Sequence, residues 1–146
     1  MTKLANILRR AVAAFSLSAV ISVGYSLPSV AEALDPLFER LLSVGEEDYQ
    51  PIEEKIWREW SKSGSPAMDL LLERGEEALE AEDFVKAIEH FTALTDHAPG
   101  FAQGFHARAT AYYRVEKYGP ALADLERALA LAPRHFGAMS GLAVIL

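Results

Sequence analysis

Residues 102–133 read AQGFHARATAYYRVEKYGPALADLERALALAP, and this segment carries the clearest helical pattern in the chain. Large apolar or aromatic side chains recur at helical spacing, and alanines fall between them. Small side chains at a crossing let two helices approach to about 8–10 Å. Gly119-Pro120 predicts a break between two helices, because proline is tolerated in the first turn of a helix. The segment therefore predicts an antiparallel helical hairpin. Its expected inward residues are Phe105, Ala109, Tyr112, Tyr118, Ala121, Leu122, Leu125, Ala128 and Leu129.

The same pattern occurs once more, 34 residues earlier, and a period of this length indicates a repeat architecture. The equivalent residues of the earlier copy are Leu71, Gly75, Ala78, Phe84, Ala87, Phe91 and Pro99. Both copies resemble the tetratricopeptide repeat (TPR) family, whose pattern asks for a bulky residue, a small residue, an aromatic, and then Ala, an aromatic or Leu, Ala and Pro. The later copy departs from this pattern at Arg108, and the earlier copy departs at Arg74, Ala78 and Leu94.

The resemblance implies an all-α fold, an α-α superhelix of antiparallel helical hairpins in a TPR-like solenoid. We expect one repeat at residues 68–101 and a second at residues 102–135. Residues 136–146 are expected to form a partial third repeat that has its first helix only. Val144, Ile145 and Leu146 give that helix no polar outer face, which terminal repeats normally have. Either a C-terminal portion is missing, or a naturally short helix lies on the second repeat and its open edge self-associates.

Residues 34–67 predict a degenerate helical hairpin that caps the stack. Asp35 is expected to cap a helix opened by Pro36, and a second helix follows it. Trp57 and Trp60 share one side of that second helix. They could form an aromatic platform for a ligand, but tryptophans at helical spacing are more often buried anchors. We therefore predict that both pack against the first repeat.

The N-terminus has the pattern of a secretory signal peptide at residues 1–31. Three positive charges precede an uncharged apolar run at residues 11–27, and small residues follow it. Cleavage could follow Ala31 or Ala33. The expected location is a periplasm reached by the general secretory route. The alternative is an inner-membrane anchor formed by residues 11–27, a run shorter than the ~20 apolar residues of a typical span.

Composition limits the function. The chain has 146 residues, is 51% hydrophobic and carries a net charge of −7. It can bury a core, and its acidity argues against nucleic acid, which favours a basic surface. The absence of cysteine excludes disulfides and thiolate catalysis. His90 and His97 are seven residues apart on one predicted helix, too far apart to share a metal ion without other ligands. No phosphate loop or nucleophile elbow is present. We therefore expect no enzyme, no cofactor, no metal and no small-molecule substrate.

In TPR proteins the first helices of successive hairpins line a concave groove that holds peptide segments. Leu72 and Glu76 stand where one subset of the family uses Lys and Asn to clamp a terminal carboxylate, so we reject that specificity. Acidic and aromatic lining instead suits a protein or peptide partner with basic and apolar side chains. The resemblance places in the groove Asp69, Leu72, Glu76, Leu79, Glu80, Gln103, His106, Thr110, Tyr113 and Arg114.

Two functions follow from this interpretation. The first is an exported scaffold that mediates protein–protein interaction by binding a peptide segment of a partner in its concave groove. The second is a structural subunit that self-associates, or joins an envelope assembly, through its apolar C-terminal edge.

Overall fold

The computed structural model describes residues 30–45 and 48–146, which contain seven helices and no strand. The predicted all-α superhelix of antiparallel helical hairpins is confirmed. Of the expected signal peptide, only Val30 and Ala31 are described, and the apolar run 11–27 lies outside the described residues. Within the described ranges, no helix is both long and apolar enough to cross a bilayer. The helices are α1 (Val30–Ser43), α2 (Gln50–Trp60), α3 (Pro66–Glu80), α4 (Phe84–His97), α5 (Ala102–Arg114), α6 (Tyr118–Leu131) and α7 (Phe136–Ile145).

The central part of the molecule consists of two stacked hairpins, α3–α4 and α5–α6. Helix α4 packs against α5, and α7 packs against α6. Equivalent glutamates, Glu82 and Glu116, take left-handed backbone angles of φ 58° and 59° in the two hairpin turns. The sequence predicted the break at Gly119-Pro120, but the second turn lies just before these residues, at 115–117. Gly119 and Pro120 lie in the first turn of α6, where a proline costs no intrahelical hydrogen bond.

Two apolar clusters hold these hairpins together. Phe91 and Leu94 are fully buried between α3, α4 and α5, and Gly75 provides the space for the Phe91 ring. The second cluster, between α5, α6 and α7, is formed by Ala109, Leu125, Ala128 and Ala138. Alanines at these crossings allow the helices to pack closely. Burial of the apolar surface between the helices stabilises the stack.

Arg108 takes a position that is usually apolar, and a polar network compensates for this. Its guanidinium donates two hydrogen bonds to the Asp124 carboxylate, at 2.7 and 2.8 Å, and one at 2.7 Å to Thr95 Oγ1. Asp124 is buried, and its hydrogen bonds raise the pKa of Arg108. The network joins α4, α5 and α6. Arg74, at the equivalent position in α3, is exposed to solvent and has no such requirement.

The first helix begins earlier than predicted. Asp35 and Pro36 were expected at its start, but α1 begins at Val30 and Pro36 lies inside it. An internal proline removes one backbone hydrogen bond. Leu34 packs against the apolar side of α2, and its burial offsets this loss.

The prediction that the tryptophans pack against the first repeat is wrong. The ring of Trp60 stacks on His135 with centroids 4.0 Å apart, and Trp57 contacts His106 and Phe136 at 5.6 and 5.2 Å. The α1–α2 hairpin therefore lies across α5 and the start of α7, away from α3. The rings of His106, His135 and Phe136 offer the tryptophans planar surfaces for stacking and edge contacts, which favours this position of the hairpin.

Candidate functional site

A cavity of about 260 Å³ lies between α5 and α7. Three of the residues predicted for the groove, His106, Thr110 and Tyr113, line it together. Ala109 and Leu125 also line it, so the cavity has both apolar and polar walls. The residues contributed by α7 are Gly137, Ser140, Gly141, Val144 and Ile145.

The glycines of α7 shape this cavity by permitting close helix approach. A Cβ added at Gly141 would lie 2.9 Å from a methyl carbon of Leu125, closer than side chains normally approach. One added at Gly137 would lie 2.5 Å from Trp57 Cη2 and 3.0 Å from His106 Nε2. Both positions therefore require glycine while the neighbouring side chains stay in place.

Tyr113 gives the site an accessible aromatic group. Its side chain is 39% exposed, and its ring lies 5.8 Å from that of Tyr118. A partly exposed tyrosine offers a large apolar face and a hydroxyl group at low entropic cost, and such residues dominate many binding surfaces. Tyr113 lines the cavity, and the neighbouring Tyr118 ring extends its aromatic surface.

The acidic part of the predicted groove lies on α3. Glu76 is half-buried, and its pKa is raised, first by desolvation and then by repulsion from Glu80 and Glu73. A cation brought near these carboxylates would relieve the repulsion and favour their charged form. The arrangement suits a basic ligand side chain better than an acidic one.

Four other predicted groove residues have structural partners instead. The Asp69 carboxylate accepts hydrogen bonds from the backbone N–H and hydroxyl of Ser63, at 2.7 and 2.5 Å, which fixes the α2–α3 turn. Leu72 is only 2% exposed and belongs to the core, and Leu79 packs against that core. Arg114 lies 4.7 Å over the Phe84 ring and forms an exposed ion pair with Glu82.

The last of these residues, Gln103, is buried and hydrogen-bonded to His135. His135 Nδ1 accepts a hydrogen bond from the Ala138 backbone N–H, so its Nε2 carries the proton and donates to Gln103 Oε1 at 3.0 Å. The rings of Trp60 and Trp57 lie over His135. Burial lowers the pKa of His135 to about 3 and that of His106 to about 4, so both are neutral at pH 7.

The residues of α7 are the ones that sequence reasoning missed. Gly137, Ser140 and Val144 stand 34 residues after Gln103, His106 and Thr110, so the repeat period itself identifies them. Among the residues that the structure describes, no group of three or more His, Asp or Glu side chains is placed to hold a metal ion.

No family profile matches the chain, and no solved structure matches it. A TPR repeat-containing protein of Rhizobium etli is 33% identical over 119 residues, which cover 81% of this chain and 58% of that protein. Aryl-hydrocarbon-interacting protein-like 1 of Mus musculus is 33% identical over 81 residues, and the Bos taurus protein 32%; each match covers 55% of this chain and 25% of the relative.

The chain thus spans little more than half the length of the bacterial relative and a quarter of the mammalian ones. The names of these relatives describe repeats or interactions rather than a reaction, which supports a protein–protein interaction scaffold in general. Together with the stacked hairpins and the 34-residue period, these likenesses show that the chain is similar to tetratricopeptide repeat proteins.

Proposed function

We propose that this protein is an exported scaffold that binds a peptide segment of a partner protein in its concave groove. The observation that carries this proposal is the α5–α7 cavity. In it, His106, Thr110 and Tyr113 of α5 face the mainly apolar residues of α7. A cavity of about 260 Å³ accommodates one or two side chains of an extended or helical segment. The cavity lies on the buried cluster of Ala109, Leu125, Ala128 and Ala138.

The partner segment is expected to carry both apolar and basic side chains. The apolar side chain enters the cavity beside Tyr113, and the basic one lies near Glu76 and Glu80 on α3. The raised pKa of Glu76 supports this, since its carboxylate is held among like charges. Replacing both glutamates by lysine should weaken binding of a basic peptide. Affinity that is indifferent to both the reversal and the salt concentration would contradict the electrostatic part of the proposal.

The direct test is Tyr113→Ala, with Tyr49→Ala as the matched control. Both tyrosines are about two-fifths exposed, but only Tyr113 lines the cavity. Partners are captured from an envelope extract on the immobilised chain and identified by mass spectrometry. A partner that is lost with Tyr113→Ala and retained with Tyr49→Ala supports the proposal. Equal recovery of every partner on both variants would contradict it.

Export rests on the charged, apolar and small-residue order of the N-terminus. The two possible cleavage sites, after Ala31 and Ala33, fall in the first turn of α1. The test is the intact mass of the chain recovered from a periplasmic fraction. A mass that still includes residues 1–29 would favour an anchored form instead.

A second candidate function is self-association through the apolar edge of α7. Val144 is 65% exposed and Leu146 is 91% exposed, and Met139 is also exposed on the same helix. Burial of these exposed apolar side chains against a second copy would favour association. Sedimentation velocity decides this case, because a monomer at high concentration contradicts it. A Val144→Glu variant that dissociates an observed dimer would support it.

A further inference from the structure

We propose that the α1–α2 hairpin is an internal ligand of the concave face. When the hairpin is released, the surface beneath it binds a helix of a partner protein. That helix carries two aromatic side chains three residues apart, which take the places of Trp57 and Trp60. The inference rests on the proposed function, since it names the chemistry of the segment that the groove binds.

The hairpin occupies positions that the groove presents to ligands. Trp60 stacks in parallel on His135, which is hydrogen-bonded to Gln103, and Trp57 lies against His106. Both Gln103 and His106 are groove positions of α5. The tryptophans lie on one side of α2 because residues three apart share a helix face. An amphipathic helix lying in a groove with such anchors is a common mode of peptide recognition.

The hairpin is also built as a separate unit. Its own core consists of Leu34, Ile52, Ile56 and Trp60. Phe136 of α7 packs against this core, and among the described residues no member of α3 or α4 joins the cluster. A short serine-rich segment, residues 61–65, connects it to α3 and contains Gly64 at φ +83°. Outside the aromatic contacts, Arg134 pairs with Asp35 and lies over the Phe38 ring, and both charged groups are about half-exposed. Exposed ion pairs contribute little to stability, so the aromatic contacts of Trp57 and Trp60 are the main interactions that hold the unit on the repeats.

The fit between the hairpin and the face is incomplete. A second cavity, of about 200 Å³, remains between Phe38 and Trp60 on the hairpin and Phe101 and Leu131 on the repeats. On the other side of the tryptophans, the Nδ1 atom of His106 is buried and has no hydrogen-bond partner among the described residues. A partner helix with a bulky side chain next to its two aromatic residues would fill this cavity. A hydrogen-bond donor on that helix would satisfy the Nδ1 atom of His106. Such a partner competes with the tethered hairpin, whose effective concentration is of millimolar order.

The test uses a fluorescent peptide of residues 48–62 as the probe. It is titrated against the full chain and against the full-length Trp57→Ala/Trp60→Ala variant, whose own hairpin has lost its anchors. We expect the variant to bind the peptide at least about tenfold more tightly than the parent, because the tethered competitor is gone. A peptide with both tryptophans replaced by alanine should not bind. Equal binding of both peptides, or no binding to the variant, would overturn the inference.

Gly137 supplies a matched pair of controls. Added to the Trp57→Ala/Trp60→Ala variant, Gly137→Ala places a methyl group where the Trp57 ring lies in the parent. It should therefore abolish binding of the peptide. Gly119→Ala, which has no neighbouring atom within 4 Å of its Cβ, should leave binding unchanged. Loss of binding with Gly119→Ala, or retention with Gly137→Ala, contradicts the assigned position of the aromatic pair.

A second pair of variants keeps the tryptophans and the core intact. Arg134→Glu replaces the ion pair with repulsion between two carboxylates and removes the cation from the Phe38 ring, so it should increase peptide binding to the full chain. Asp35→Arg in the same chain should reverse that increase. No change in either variant would mean that this contact does not hold the hairpin in place and would count against its release. These outcomes are independent of partner capture at Tyr113, so the groove proposal and this inference can fail separately.

Discussion

A single methyl group added at Gly75 tests how closely α3 packs on α4. A Cβ at this position would lie 2.2 Å from Cε1 of Phe91, whereas carbon atoms in contact are about 3.5–4.0 Å apart. Phe91 is fully buried, so the ring cannot turn into solvent to make room. Overpacking costs about 1–3 kcal/mol. Because the ring must move by about 1.5 Å, we expect a cost near the upper end of that range.

Alanine also stabilises a helix interior by about 1 kcal/mol relative to glycine. The net expectation for Gly75→Ala is a free energy of unfolding lowered by about 2 kcal/mol, or a melting temperature lowered by about 4–8 °C. Circular dichroism during heating and urea titration measures both quantities. The second repeat carries Ala109 and Leu125 at the positions of Gly75 and Phe91.

That correspondence supplies the decisive comparison. Gly75→Ala combined with Phe91→Leu gives the first repeat the pair that the second already contains. The double variant should therefore lose less stability than the sum of the two single variants. Gly119→Ala, with an open surrounding, is the control and should change stability little. A Gly75→Ala protein that melts at or above the temperature of the parent would refute the packing described between these helices.

Three further outcomes are expected. Arg108→Leu leaves the buried Asp124 carboxylate unpaired and should lower the free energy of unfolding by about 3–5 kcal/mol in urea titrations, and adding Asp124→Leu should recover most of the loss. His106 and His135 have pKa values lowered to about 4 and about 3, so the unfolded chain binds more protons below pH ~6.5. Stability should be full above pH ~6.5 and fall as the pH drops toward 4, at a limiting rate of about 1.4 kcal/mol per pH unit for each histidine; a flat profile of urea midpoints would contradict this. Glu76→Lys should reduce the affinity of a basic peptide measured by fluorescence anisotropy and should weaken its dependence on salt.

The 34-residue period predicted the central fold well because it records local packing. Ala109, Ala121, Leu125 and Ala128 were expected to face inward, and all four are buried. The same expectation was wrong for Tyr118, which is 46% exposed at the start of α6. Each of the four buried residues contacts a helix close to it in the chain, so helical spacing is sufficient to place it. Tyr113 was expected to be accessible because Tyr112 takes the core position, and its side chain is partly exposed.

The groove was predicted less completely, for two physical reasons. Leu72 occupies a groove position in the repeat pattern but is buried with the core around Phe91, because a first helix also has to cover its neighbour. Gln103 is buried and hydrogen-bonded to His135, on which Trp60 of a hairpin distant in sequence stacks. The stacking of Trp60 on His135 spans 75 residues, and no local periodicity encodes a contact of that range. The α7 side of the cavity, by contrast, follows from extending the period by one more repeat.

The contact between Trp60 and His135 has a consequence for how the molecule folds. A chain of stacked repeats is ordinarily a linear array in which each unit senses only its neighbours, and its ends fray first. Here the His135 ring caps the start of α7, hydrogen-bonds Gln103 and stacks on Trp60 of α2. The α1–α2 hairpin and α7 therefore protect one another. Closing this loop late should give a slow final step after rapid assembly of the hairpins, since distant contacts form slowly. Hydrogen exchange at α2 and α7 should then rise and fall together rather than independently.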